Sequence, residues 1–212
     1  MFITFEGGDG SGKSTLIKLV TTELEKAGYD VFATREPGGS FVAEAIRDIV
    51  LNNKYKGISE YTEALLFAAA RAEHLDKTIL PQLKENKIVI CDRFIDSSLA
   101  YQAYARNLGV DFVLNINKVA VENMPNLTFY IDIDPDVGIS RIKNRRKNDR
   151  LDQETKDFHL KTRDGYLKLI EKYPNRIVKI DGTKSISELT NIIVEKIKEK
   201  LWNKLYLFLK KR

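Results

Sequence analysis

The chain has 212 residues, of which 43% are hydrophobic and 31% charged, a composition typical of one globular domain. The only cysteine, Cys91, excludes an intramolecular disulfide framework and zinc sites built from several cysteines, and it favours a reducing compartment. The net charge of +5 is spread over many segments and does not predict a specific nucleic-acid partner. Without a leader sequence or an apolar run of about 18 residues, we expect a soluble cytoplasmic protein that does not interact with membranes.

Short apolar runs alternate along the chain with stretches of helical periodicity, which predicts right-handed crossovers and a mainly parallel sheet. The apolar runs predict five buried strands, Phe2–Phe5, Tyr29–Ala33, Lys87–Cys91, Thr128–Ile133 and Arg176–Ile180. The helical stretches are 16–26, 42–51, 61–83, 111–123, 137–143, 153–172 and 187–212. We therefore predict an α/β fold with a five-stranded parallel sheet flanked by helices, and ligands beyond the carboxyl ends of the strands.

A glycine-rich loop follows the first predicted strand and precedes the first predicted helix. It matches the phosphate-loop pattern G-x-x-x-x-G-K-S in the context that this motif requires, and its backbone N–H groups would converge on phosphate oxygens. Lys13 would contact the β- and γ-phosphates, and the Ser14 hydroxyl would bind Mg²⁺. The predicted ATP-binding residues are Gly7, Gly8, Asp9, Gly10, Ser11, Gly12, Lys13, Ser14 and Thr15.

Two common classes of nucleotide hydrolase do not fit the rest of the sequence. A GTPase would carry an Asn-Lys-x-Asp guanine motif, whereas Asn117-Lys118 is followed by Val-Ala. A motor ATPase would usually end its second acidic strand in Asp-Glu, but Asp92 is followed by Arg93. An arginine at this position suits the binding of a second anion better than the activation of water.

Four further strings of sequence indicate an acceptor site and a lid. They are Arg35-Glu-Pro-Gly-Gly39, Phe67-Ala-Ala-Ala-Arg71, the segment 92–102 and Arg150-Leu-Asp-Gln-Glu154. Together with the phosphate loop they resemble the thymidylate kinase family, in order and to about residue 200. The resemblance implies a three-layer P-loop nucleoside monophosphate kinase fold in a single domain, 1–212, with a lid at about 141–152 and a C-terminal helix and tail at about 185–212. It also implies a homodimer that uses Mg²⁺ to transfer the γ-phosphate of ATP to dTMP, giving dTDP for dTTP synthesis.

The resemblance also assigns roles at the acceptor site. Arg47 and Arg93 would hold the dTMP phosphate, as guanidinium groups do well, and Arg71 would reach thymine O4. Phe67 would stack on the base, and Tyr101 would crowd the ribose 2′ position. The full set of predicted dTMP-binding residues is Asp9, Glu36, Arg47, Phe67, Arg71, Arg93, Ser98, Tyr101 and Gln102, and the predicted metal ligands are Ser14 and Asp92.

The acceptor is already an anion, so we expect catalysis by alignment and charge neutralisation without a general base. Members of this family place a catalytic arginine either in the phosphate loop or in the lid. Positions 8–11 are Gly-Asp-Gly-Ser, with no basic residue, which favours the lid. The predicted catalytic residues are Lys13, Asp9, Arg93, Arg145 and Arg150.

Two alternatives remain open at this point. A deoxynucleoside kinase also has a phosphate loop and a basic lid, but it needs a base to deprotonate a sugar hydroxyl. A regulatory module could bind nucleotide without turnover. Outside the motifs, we expect Cys91, His74 and His159 to have packing or capping roles.

Overall fold

The computed structural model describes residues 1–55, 57–143 and 149–210. Five parallel strands form one sheet in the order β2-β3-β1-β4-β5, so the predicted parallel α/β sheet is confirmed. The strands are β1 (Phe2–Glu6), β2 (Val31–Arg35), β3 (Ile88–Asp92), β4 (Leu127–Asp132) and β5 (Ile177–Asp181). Their bounds differ from the predicted ones by one or two residues.

Helices connect and cover the strands. The helices are α1 (Lys13–Lys26), α2 (Phe41–Val50), α3 (Glu60–His74), α4 (Leu80–Lys84), α5 (Ile95–Ser98), α6 (Val110–Ile116), α7 (Lys118–Val121), α8 (Pro135–Lys143), α9 (Lys156–Lys172) and α10 (Ile186–Leu209). Wider π-helical segments join α3 to α4 over Leu75–Ile79 and extend α5 over Leu99–Ala105. Among these helices, none is long and apolar enough to cross a bilayer.

The sheet separates two hydrophobic cores because strand side chains alternate between its faces. On one face, Ile3 and Phe5 of β1 pack with apolar residues of α1 and α10. On the other face, Phe2 belongs to a cluster with the π-helical segment after α3 and with α5, and Tyr130 of β4 packs against α9 and the π-helical segment after α5. The result is the predicted three-layer arrangement.

The first strand lies at the centre of the sheet, between β3 and β4. The connection that leaves β1 runs toward the β2 edge, whereas the one that leaves β3 runs toward the β5 edge. In open α/β sheets, ligands bind at such a point beyond the carboxyl ends of the strands. The phosphate loop occupies this position between β1 and α1.

The phosphate loop packs directly on the start of α8 through two glycines. Gly10 has φ 75°, in the left-handed region that glycine adopts readily. A Cβ at Gly10 would overlap the carbonyl group of Gly138, and a Cβ at Gly138 would overlap the carbonyl oxygen of Asp9. Neither position has room for a side chain.

Candidate active site

The phosphate loop presents backbone donors at the positive end of α1. Gly12 precedes the helix with φ 89°, and no side chain of the described residues caps the first turn. The first N–H groups of a helix have no partner within the helix, and together with the helix dipole they form an anion site.

Lys13 is buried at the start of α1, and its ammonium group lies inside the loop. Nζ donates to Gly7 O at 3.1 Å, Gly8 O at 3.0 Å and Ser11 Oγ at 3.2 Å. Burial, reinforced by the charge of Arg93, lowers the pKa of Lys13 to about 8. The loop therefore holds a cation whose three hydrogen-bond acceptors are neutral oxygens. These acceptors do not neutralise its charge, which a site for a polyphosphate needs.

Ser14 and Asp92 bring a hydroxyl and a carboxylate together beside the loop. Ser14 Oγ donates to Asp92 Oδ2 at 2.9 Å, which links the start of α1 to the end of β3. Hard oxygen ligands of this kind suit Mg²⁺, which usually takes one or two protein ligands and keeps several waters. These two side chains fit the predicted metal site in chemistry and position.

Arg93 forms a cluster of polar contacts with the phosphate loop. Nη2 donates to Asp9 Oδ1 at 2.6 Å and to the Tyr101 hydroxyl at 3.2 Å, and that hydroxyl donates to Asp9 Oδ2 at 3.2 Å. Burial would raise the pKa of Asp9, but the charges of Arg93 and Lys13 outweigh it and the pKa lies below its usual value. An ionised Asp9 in a phosphate loop is thus balanced by a neighbouring arginine.

Glu6, which the sequence analysis did not single out, anchors the same cluster from β1. Its carboxylate accepts from the backbone N–H of Phe94 at 2.7 Å and from the hydroxyls of Ser97 and Tyr166 at 2.5 and 2.8 Å. Burial, with the charge of Asp96, raises the pKa of Glu6 to about 7 despite these hydrogen bonds. The signal in the sequence was a glutamate at the end of an otherwise apolar strand.

Arg71 is almost fully buried, and four of its five N–H donors are occupied by described residues. Nε donates to Glu36 Oε2 at 2.7 Å, Nη1 to Ser98 Oγ at 2.8 Å and to Asn117 Oδ1 at 2.6 Å, and Nη2 to Phe94 O at 3.1 Å. An arginine has five donors in a rigid plane, so one N–H on Nη2 has no partner among the described residues and could serve a ligand. Asn117, missed as a site residue, helps to fix this orientation.

Gln102 and Glu63 form a second buried polar contact on this side of the sheet. Gln102 Nε2 donates to Glu63 Oε1 at 2.9 Å. Glu63 also lies outside the predicted site, because the sequence shows only a glutamate in the first turn of α3. The pair joins α3 to the π-helical segment after α5.

A cavity of about 260 Å³ connects Arg71 and Gln102 to the phosphate loop. All nine residues predicted to bind dTMP line it, as do residues 10–15 of the loop and Asp92. Arg47 reaches it from α2, with Nη1 donating to Pro37 O at 2.6 Å, and Phe67 contributes a mostly buried ring. Gly7 and Gly8 are not among its lining residues.

Of the two predicted lid arginines, only Arg150 can be placed, and it does not reach the phosphate loop. Arg145 lies outside the described residues. Arg150 donates from Nη2 to Glu63 Oε2 at 2.6 Å and from Nε to Val50 O at 3.1 Å, and it does not line the cavity. Among the described residues of this region, Arg141 contacts the loop, with Nη1 donating to Gly10 O at 3.2 Å.

A phosphate loop at the switch point of a parallel sheet, joined by one cavity to an arginine-rich pocket, defines a phosphotransferase with the P-loop nucleoside monophosphate kinase fold. Residues 5–193 match the family model described as thymidylate kinase. The chain belongs to the thymidylate kinase family, enzymes that phosphorylate dTMP with ATP.

Individual relatives agree over nearly the whole length. A thymidylate kinase of Acholeplasma laidlawii is 57% identical over 204 residues, 95% of this chain and 100% of that protein. One of Clostridium novyi is 50% identical over 191 residues, covering 89% and 93%. A crystal structure of thymidylate kinase from Ehrlichia chaffeensis superposes with a TM-score of 0.76 at 34% identity, covering 93% of this chain and 98% of that one.

Proposed function

We propose that dTMP binds in the cavity beside the phosphate loop and receives the γ-phosphate of ATP directly, giving dTDP and ADP. The observation that carries this proposal is the continuity of the cavity, which the loop residues Lys13 and Ser14 share with Phe67, Arg71 and Gln102. Donor and acceptor would meet without passing through solvent, which favours alignment of the reacting groups.

On the donor side, the backbone N–H groups of the loop and of the first turn of α1 would hold the phosphates. Lys13 would exchange its contacts with loop oxygens for contacts with β- and γ-phosphate oxygens. Ser14 and Asp92 would hold Mg²⁺, the Asp92 carboxylate directly or through water. A bound Mg²⁺ would neutralise phosphate charge.

On the acceptor side, Arg47 and Arg93 would clamp the dTMP phosphate. Arg93 is held by Asp9 and Tyr101, so its guanidinium is oriented before the substrate arrives. Asp9 would keep this arginine in place and face the acceptor. Glu36 would act through Arg71, since their ion pair is buried at 2.7 Å.

The base would be recognised by three polar groups and one ring. The remaining N–H of Arg71 would donate to thymine O4, and the Ser98 hydroxyl, which accepts from Arg71, would be free to donate to the pyrimidine edge. The carbonyl oxygen of Gln102 would accept the thymine N3–H. Phe67 would stack on the ring, and the mostly buried Tyr101 would exclude a 2′-hydroxyl.

No proton needs to be removed from the acceptor, so the chemistry requires alignment and neutralisation of charge. We propose that Lys13, Asp9 and Arg93 act with the lid arginines Arg145 and Arg150. To reach the phosphates, Arg150 would have to be released from Glu63.

We also propose a homodimer and a cytoplasmic location. The free thiol of the buried Cys91 supports the cytoplasmic location.

The experiment is ADP formation from Mg-ATP with dTMP, dUMP, UMP, dCMP, AMP, GMP and thymidine supplied separately. We expect the highest kcat/KM with dTMP, weaker turnover of dUMP and negligible turnover of ribonucleotides. Turnover of thymidine without turnover of dTMP would instead identify a deoxynucleoside kinase. ATP binding without ADP formation from any acceptor would leave only a nucleotide-binding module.

A further inference from the structure

The Gln102 side chain lines the cavity with its amide held in one orientation by Glu63. An amide has a donor side and an acceptor side, and in this structure the donor side, Nε2, faces Glu63 at 2.9 Å. The acceptor side, Oε1, is the side of the amide that does not meet Glu63, and Gln102 lines the cavity. Thymine and uracil carry a hydrogen on N3, whereas the N3 of cytosine is an acceptor.

Glu63 allows only this orientation, because an ionised carboxylate has no hydrogen to donate. Burial would raise its pKa, but the Arg106, Gln102 and Arg150 contacts outweigh burial and the pKa lies below its usual value. Its Oε1 accepts from Gln102 and from Arg106 Nε at 3.3 Å. Its Oε2 accepts from Arg106 Nη2 at 3.1 Å and from Arg150 Nη2 at 2.6 Å.

We propose that Glu63 is a specificity-determining positioning residue, which holds the Gln102 amide with its oxygen toward the acceptor base and so disfavours dCMP. This proposal rests on the proposed function. Glu63 itself would not touch the nucleotide. Arg106 contacts both of its oxygens and keeps it paired after Arg150 is released, in a buried place where an unpaired carboxylate would be costly.

The first test is Glu63→Gln, a change that preserves shape. The oxygen of the introduced amide would keep the shorter contacts from Arg106 Nη2 and Arg150 Nη2 at the former Oε2 position. Its NH₂ group would then face Gln102 and would lose only the longer contact from Arg106 Nε. Two donors would then oppose each other, and Gln102 would turn its own NH₂ group toward the cavity. We expect kcat/KM for dTMP to fall and the dCMP-to-dTMP ratio of kcat/KM to rise by at least about tenfold, with most of the dTMP effect in KM.

The matched control is Glu154→Gln. Glu154 pairs with the same Arg106 but not with Gln102, so we expect an unchanged dCMP-to-dTMP ratio. A second control uses Gln102→Leu, in which the amide is gone. If Glu63 acts through Gln102, adding Glu63→Gln to this variant leaves the ratio unchanged, whereas a purely structural role for Glu63 would alter both backgrounds alike.

A measurement on the wild-type protein covers the case in which Glu63→Gln does not fold. The side-chain NH₂ signal of Gln102, assigned by its loss in Gln102→Leu, should keep its position when dTMP binds, since Nε2 stays on Glu63. A large shift of this signal on dTMP binding would overturn the proposal. So would a folded Glu63→Gln with an unchanged ratio. Failure of wild-type protein to phosphorylate dTMP would overturn the proposed function instead.

Discussion

The buried ammonium group of Lys13 makes nucleotide binding sensitive to pH. Its pKa of about 8 lies below the usual lysine value of about 10.4, because burial and Arg93 disfavour the charged form. Bound phosphates would favour the charged form and raise this pKa again. Binding of ATP should therefore be coupled to proton uptake above pH 8.

We expect ATP binding at pH 8.5 to take up a fraction of a proton at Lys13, because a pKa of about 8 leaves part of the free protein deprotonated there. Calorimetry in buffers of different ionisation enthalpy measures this number. Lys13→Met should abolish that uptake and lower kcat by about 100-fold or more, the range found when one transition-state contact is removed. Equal uptake by both proteins would contradict the assignment of the proton to Lys13, and unchanged turnover would contradict its role.

Residues with a motif could be predicted as site residues, whereas their supporting partners could not. Arg71 and Gln102 belong to strings typical of the family, and both line the cavity. Glu63 and Asn117 lie 39 and 46 positions from the residues that they hold. Only the fold brings such partners together, so no local pattern marks them. The contact of Arg150 with Glu63 could not be predicted for the same reason, since it spans 87 positions.

At the scale of elements, apolar periodicity predicted all five strands but not the helix that begins at Ile95. Its first four residues are buried, and a helix without an exposed face shows no amphipathic pattern. The π-helical continuation Leu99–Ala105 also escaped prediction, because widened turns are not encoded in a 3.6-residue period. This segment carries Tyr101 and Gln102, so the irregular part of the helix lines the cavity together with Ser97 and Ser98 of α5.

The same segment packs closely against α9 at Gly165. A Cβ there would lie 3.0 Å from the Cβ of Tyr104 and 3.1 Å from the Cα of Ala100. We expect Gly165→Ala to reduce the free energy of unfolding by about 1 kcal/mol, because overpacking costs about 1–3 kcal/mol and the better helix propensity of alanine offsets up to about 1 kcal/mol.

Denaturant unfolding measures this effect. The control is Lys168→Ala on the same helix, where the lysine forms an exposed i,i+4 ion pair with Asp164 and we expect a change within about 0.5 kcal/mol. A midpoint for Gly165→Ala equal to or above that of the wild type would show that the two helices separate at little cost.

At the scale of the whole molecule, exposed apolar side chains on α2 and α3 support the proposed homodimer. Phe41 is 93% exposed, and Ile49, Tyr61 and Leu65 are also exposed at the ends and outer faces of these helices. Exposed apolar side chains gathered on neighbouring helices are typical of an interface. We expect sedimentation equilibrium to give twice the monomer mass.

Leu65→Glu should shift this equilibrium toward monomer, since it places a charge in an apolar interface. Ile186→Glu is the matched control, because Ile186 is similarly exposed but begins α10 in the layer on the opposite face of the sheet. A monomeric wild type, or equal effects of the two variants, would contradict a dimer formed through α2 and α3.

The contact between Gly10 and Gly138 couples the phosphate loop to the helix that leads into the basic segment. Backbone meets backbone there, with no flexible side chain between them to absorb a displacement. Any ligand, partner or substitution that moved the start of α8 would also move the loop N–H groups that we propose hold the phosphates. Nucleotide affinity is therefore a sensitive reporter of changes at α8, even of those made far from the nucleotide.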